Sequence, residues 1–268
     1  MAENRELLSV KLDFVFKLIF GDQKNIDILA GFLKSVLDIP KEEYERITVV
    51  DPHVKADFLG DKYGILDVKI HTKNEQVIHT EIQVAPIPDM DRRSLYYQSK
   101  MITEQLGIGQ KYSLIKKVVS IIITDYALAQ LPESGRYHHQ FRYRTVDSIE
   151  LTDLTEINTL ELAKLPSETD RTELWNWLKF MATKNEEELN MLATKNPELK
   201  KAVGILKELS ADERTRMLAE EREKAWRDEV SRLDGARKEG EERGEQKIIE
   251  LLKSGKSPDE IIREYGVD

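Results

Sequence analysis

Two carboxylates, Asp67 and Glu81, sit in neighbouring segments whose alternation turns them toward one side of a β-hairpin. The first segment is Gly64-Ile65-Leu66-Asp67-Val68-Lys69-Ile70, and the second is Ile78-His79-Thr80-Glu81-Ile82-Gln83-Val84. Each alternates with period two, which predicts strands with one apolar and one polar face. Leu66, Val68 and Ile70 share a face in the first, and Ile78, Ile82 and Val84 share one in the second. A hairpin centred on Asn74 sets Asp67 opposite Glu81 and Lys69 opposite His79. Carboxylates facing across a ladder lie about 5 Å apart at Cβ and repel each other. A hard divalent cation such as Mg²⁺ would turn that repulsion into a site, because it selects carboxylate oxygens.

A plainer account is a solvated polar face, with Lys69 and His79 relieving the repulsion, as antiparallel sheets commonly have. Spacing alone leaves both accounts standing. The arrangement resembles the active-site hairpin of the PD-(D/E)XK nuclease superfamily, which carries Asp on one strand and Glu-x-Lys on the next. Asp67 matches the Asp, Glu81 matches the Glu, and Gln83 stands where Lys is usual. With Asp61-Lys62 upstream and Gln83 in the motif, the hairpin is similar to one branch, the recombination-promoting (Rpn) nucleases or putative transposases.

The likeness continues along the chain. Lys11-Leu12-Asp13-Phe14-Val15-Phe16-Lys17-Leu18-Ile19-Phe20-Gly21 is similar to that family's opening signature. Val119–Tyr126 resembles a later core strand, Leu160–Lys164 a closing segment, and Ser254–Ile262 a tail of familiar shape.

The resemblance implies a restriction-endonuclease-like α/β fold, a mixed sheet flanked by helices, over residues 1–165. It implies a metal-dependent DNA endonuclease associated with recombination or transposition. Asp67 and Glu81 would bind Mg²⁺ or Mn²⁺, and Gln83 would orient the attacking water. Asp13 becomes a further metal-site candidate, since nucleases of this kind often draw a carboxylate from an N-terminal helix; an exposed helix position also accounts for it. Gln83 brings no positive charge; Lys69 on the same face, or Lys62 in the preceding loop, is the candidate to supply it. A protein that keeps the fold but only binds DNA or oligomerises is the competing reading.

The elements that must position these residues can also be read. Leu12, Val15, Phe16 and Ile19 mark a helix ending at Gly21-Asp22, and Ile26, Leu29, Ala30 and Leu33 mark a second. Strands are predicted at Ile47–Val50, Gly64–Ile70 and Val77–Val84. A helix follows over Arg92–Leu106, then strands at Val118–Thr124 and Phe141–Ile149. In the segment Arg136–Arg144, alternation puts Arg136, His138, Gln140, Arg142 and Arg144 on one face, with aromatics behind. Such a face could follow a phosphate backbone, with Arg142 and Arg144 as DNA contacts, or be an ordinary polar surface.

After Pro166 only helix is expected: an extension over 166–210 and a charged tail over 211–268. Between Ala211 and Glu245, 21 of 35 residues are charged with signs mixed, which suits a solvated helix rather than a nucleic-acid arm. No sustained heptad appears there, and these helices are where homo-oligomerisation is expected. Ser257-Pro258-Asp259-Glu260 reads as an N-cap, a first-position proline and a capping-box Glu.

The bulk composition narrows the classes. The 268 residues hold no cysteine, which excludes disulfides, thiol nucleophiles and zinc–thiolate sites. No 18-residue apolar run exists and the N-terminus is unlike a signal peptide, so a soluble, cytoplasmic protein without membrane contact is expected. The net charge of −9 argues against a dominant electrostatic grip on nucleic acid. The five histidines make no HExxH, and neither GxxxxGK[ST], GxGxxG nor GxSxG occurs, which counts against zincin, NTPase, dinucleotide and serine-hydrolase chemistry.

Overall fold

The computed structural model of the protein describes residues 6–37, 48–50, 68–72, 76–83, 89–131 and 135–265. Asp67, Lys62 and Asn74, all named above, lie outside the described residues. Helix α1 (Asp13–Phe20) forms because Val15, Phe16, Ile19 and Phe20 fall on one side and are buried. It ends at Gly21, whose N–H reaches the Lys17 carbonyl at 2.7 Å. A Cβ there would stand 2.8 Å from that oxygen, so the close approach requires glycine. Helix α2 (Ile26–Val36) buries Ile28, Leu29, Phe32, Leu33 and Val36 against α1.

Among the described residues six strands make one sheet in the order β1-β2-β3-β4-β6-β5. Strands β1 (Thr48–Val50), β2 (Val68–His71) and β3 (Val77–Gln83) pair antiparallel. Helix α3 (Met90–Thr103) then carries the chain to β4 (Val118–Thr124), which is parallel to β3. Strand β6 (Thr155–Glu161) is parallel to β4, and β5 (His138–Arg142) closes the edge antiparallel to β6. Every residue of β4 is buried, as its unbroken β-branched run requires for a central strand.

Paired residues share a face, so the register separates two surfaces. On one lie Val68, Ile70, Ile78, Ile82, Val119, Ile121, Ile123 and Leu160, in the main core with α1 and α2. On the other lie His79, Glu81, Gln83, Ser120, Ile122, Thr124, Thr159 and Glu161. Helix α3 covers that second face, with Met101 against Val77 and Val118, and Met90 against Ile122.

Helices α4 (Glu173–Ala182), α5 (Glu186–Leu192) and α6 (Pro197–Ala211) each start at a side-chain cap: Thr172, Asn185 and Asn196. Their apolar residues join the main core. Trp177 of α4 packs its ring 5.9 Å from Phe20 and 6.2 Å from Phe32, centroid to centroid. By compactness the chain divides into two units, Met1–Ala219 and Glu220–Asp268. The second unit holds most of helix α7 (Glu213–Lys253) and all of α8 (Pro258–Tyr265). Within it, Ser257 N–H donates to Glu260 at 2.8 Å and Glu260 N–H to Ser257 Oγ at 3.3 Å, the expected capping box. Gly235, Gly240 and Gly244 do not interrupt α7; Arg237–Glu241 and Arg243–Glu239 pairs line it.

Two strand expectations need correction. The strand placed at Phe141–Ile149 is β5, His138–Arg142. Beyond it the chain turns tightly at Thr145–Ser148, where Ser148 N–H donates to Thr145 O at 2.9 Å and Ser148 takes φ 69°. Strand β6 was not anticipated as a strand, because polar residues are buried on both of its faces and no apolar alternation marks it.

Candidate functional site

The hairpin adopts the expected register over its described part: Val68 faces Thr80, Lys69 faces His79, and Ile70 faces Ile78. Glu81 is the next residue of β3 beyond Thr80. Its side chain is 7% exposed, facing α3 rather than the main core. Burial pushes its carboxyl above the ordinary carboxylate range, and the charge of Arg93 pulls it back only in part. Arg93 Nη2 lies 3.5 Å from Glu81 Oε1, a contact long for a hydrogen bond but close for an ion pair. The Arg93 guanidinium also lies 4.8 Å from the centroid of the Tyr97 ring, one helical turn on.

Gln83 shares the Glu81 face and ends β3, half-buried. Its carbonyl accepts the Asp125 N–H at 3.1 Å. Asp125 in turn holds Lys11 Nζ at 2.7 Å, which ties the start of α1, and with it Asp13 in its first turn, to the carboxyl end of β4. Asp13 therefore approaches the same end of the sheet as Gln83. Lys69 has its backbone opposite His79, one position along the face from Glu81.

Arg142 and Arg144 stand on the far side of the sheet, in β5 and just beyond it. Arg142 Nη2 is 2.9 Å from Glu156 Oε2, and Arg144 Nη2 is 3.2 Å from Glu150 Oε2. Glu156 is almost fully buried on the main-core side and is surrounded by donors. Gln140 and Asn158 reach one oxygen at 2.7 and 2.9 Å, and Lys117 reaches the other at 3.3 Å. Burial alone would raise its pKa; these hydrogen bonds and charges outweigh that and hold it below the ordinary value.

A second charged group on the Glu81 face escaped the sequence reading. Glu161, fully buried at the end of β6, accepts the Leu128 N–H at 2.8 Å and pairs with Lys164 at 2.9 Å. His139 Nδ1 stands 3.4 Å from its other oxygen without a hydrogen bond, an electrostatic contact only. Burial lowers the His139 pKa despite Glu161 beside it. Arg93 was missed as well. The one available signal was the Arg93…Tyr97 spacing of four at the start of an expected helix, which no rule ties to a carboxylate on a distant strand.

Among the described residues no group of three or more His, Asp or Glu side chains is gathered in metal-binding geometry. The donor types nevertheless fit a hard cation: Glu81 offers a carboxylate and Gln83 an amide oxygen on one face.

An α/β sheet with a polar hairpin strand at its centre, helices on both sides and a helical crossover into a parallel strand defines a nuclease-like class. A family model described as PD-(D/E)XK nuclease family transposase matches residues 10–236, and the chain belongs to that family. No curated protein and no solved structure matches the chain. No helix of the described residues is long and apolar enough to cross a membrane.

Proposed function

We propose that the protein is a metal-dependent DNA endonuclease, a phosphodiester hydrolase acting in recombination or transposition in the cytoplasm. The observation that carries this reading is Glu81, a carboxylate buried on the face of β3 away from the main core, in a hairpin whose described part pairs Val68 with Thr80 and Lys69 with His79. Asp67 and Glu81 would hold Mg²⁺ or Mn²⁺. The bound ion would lower the pKa of water and offset charge on the phosphate. Gln83 accepts and donates through its amide, which suits it to orienting a water molecule. Asp13 is a further ligand candidate from α1, and Lys69 a further cation from β2. Arg142 and Arg144 are proposed phosphate contacts; Arg136, near the start of β5, lines a cleft with Lys34 and His138 that extends the basic surface. Nicking of supercoiled plasmid with Mg²⁺ or Mn²⁺, lost on adding EDTA, tests the reading.

A second reading has its own support. Gln83 replaces the motif lysine, and Arg93 already stands beside Glu81, an arrangement that also suits a protein keeping the fold to bind DNA without cutting it. DNA binding by wild type with no cleavage under either metal would favour it. Self-association is proposed through the C-terminal helices, where Ile248, Ile249, Leu252 and Ile262 are exposed. Light scattering across a concentration series tests it, and a monomer throughout would reject it.

A further inference from the structure

We infer that Arg93 is a positioning residue of the candidate site, supplying from α3 the positive charge beside Glu81 that Gln83 cannot. The inference rests on the nuclease reading for its effect on cleavage, while its electrostatic part can be measured separately.

The argument begins with what places Arg93. Helix α3 starts after Asp89, and Met90 in its first turn is buried against Ile122. Ile122 is the register neighbour of Glu81 on β4. Arg93, three residues on from Met90, is thereby held over Glu81, with Nη2 3.5 Å from Oε1. Tyr97 supports the guanidinium at 4.8 Å, and such stacking holds a cation in place without neutralising it. Both partners are nearly shut off from water, Arg93 14% and Glu81 7% exposed, so their attraction is little screened. A guanidinium also keeps its charge at any working pH and presents a planar fork that suits carboxylate or phosphate oxygens.

The chemical consequence is competition. A cation beside Glu81 repels a divalent ion approaching the same carboxylate, yet stabilises negative charge that develops nearby. Arg93 should therefore weaken metal binding and favour cleavage. A residue that only packs would move both in the same direction when replaced, by loosening the fold.

The experiment uses the full-length chain as wild type, Arg93→Gln and Arg93→Lys, each checked by thermal melting. Mn²⁺ affinity is read from the free-ion electron paramagnetic resonance signal, and cleavage from plasmid nicking. Arg93→Gln is expected to bind Mn²⁺ roughly tenfold more tightly and to cut roughly tenfold or more slowly, with Arg93→Lys nearer wild type in both. Unchanged or weaker Mn²⁺ binding by a well-folded Arg93→Gln overturns the inference, as does undiminished cleavage. If wild type neither binds Mn²⁺ nor cuts while Arg93→Gln binds, the guanidinium stands in for the metal; the electrostatic part of the inference holds, and its cleavage part falls with the nuclease reading. If neither protein binds Mn²⁺, both fall.

Discussion

Arg142 grips Glu156 through two nitrogens, Nε at 3.1 Å and Nη2 at 2.9 Å, and joins the edge strand β5 to the buried polar centre of β6. An ionised carboxylate at that depth persists because donors surround it. Its folded pKa lies below the ordinary 4.5, so the stability it contributes is fully present above that value and is lost as pH falls through the folded pKa. Glu156→Gln should destabilise the protein at pH 7 by about 1–3 kcal/mol. The gap to wild type should close in urea melts taken progressively below pH 4.5. A gap that stays constant down to pH 3 would show that the charge of Glu156 does not matter.

The same contact separates two roles for the β5 arginines. Arg142→Gln weakens the Glu156 network and should cost about 1 kcal/mol or more of stability, whereas Arg144, paired with the partly exposed Glu150, should cost little. If both also touch phosphates, the double variant should lower the slope of log K against log salt by about 0.9 per lost contact. An unchanged slope with the fold intact assigns them to an ordinary polar surface.

Glu81 behaves oppositely to Glu156. Its folded pKa is raised, so burial of the group is least costly below its ordinary pKa of 4.5, and stability is lost as pH rises through the folded value. Glu81→Gln should therefore stabilise the metal-free protein at pH 7 by roughly 1 kcal/mol, even as it removes the carboxylate. Thermal melts in EDTA at pH 7 measure this. A variant that melts lower than wild type would mean the Arg93 pair outweighs the burial.

The first compact unit reaches Ala219, and the contacts that carry it past Leu209 are specific. Ser210 Oγ accepts the Leu8 N–H at 3.0 Å, and Arg216 Nη1 donates to the Glu6 carbonyl at 2.9 Å. A chain ending at Ala219 should melt within a few degrees of the full-length protein. One ending at Leu209 should lose about 1–3 kcal/mol, because the buried Leu8 N–H is left without its acceptor. Equal stability of the two truncations would place the boundary earlier.

The hairpin was legible because its strands alternate cleanly: apolar Val68, Ile70, Ile78 and Ile82 fix the register, since a slip of one would turn them all out of the core. The C-terminal capping box was legible for a local reason too, as Ser257 and Glu260 satisfy each other within one turn. Strand β6 gave no such signal. Its Glu156, Asn158, Thr159 and Glu161 are buried polar residues, and the partners Gln140, Arg142 and Leu128 reach Glu156 and Glu161 from other segments, which no short window of sequence shows. Arg93 was hidden for the same reason, since its meaning depends on a strand position twelve residues earlier being brought beneath it. The packing of α4 on α1 and α2 likewise joins residues such as Trp177 and Phe32 that are far apart in sequence, so that contact was not legible.

Cleavage of supercoiled plasmid by wild type, Asp67→Ala and Glu81→Gln across a Mg²⁺ and Mn²⁺ range tests the central claim most directly. DNA binding and melting should be recorded for each protein alongside. A hard cation needs several oxygens, so neither carboxylate alone should suffice. The account predicts metal-dependent nicking by wild type and its loss in both variants, with folding and DNA binding retained. Undiminished nicking by folded Asp67→Ala and Glu81→Gln would contradict it and put the active site elsewhere in the chain.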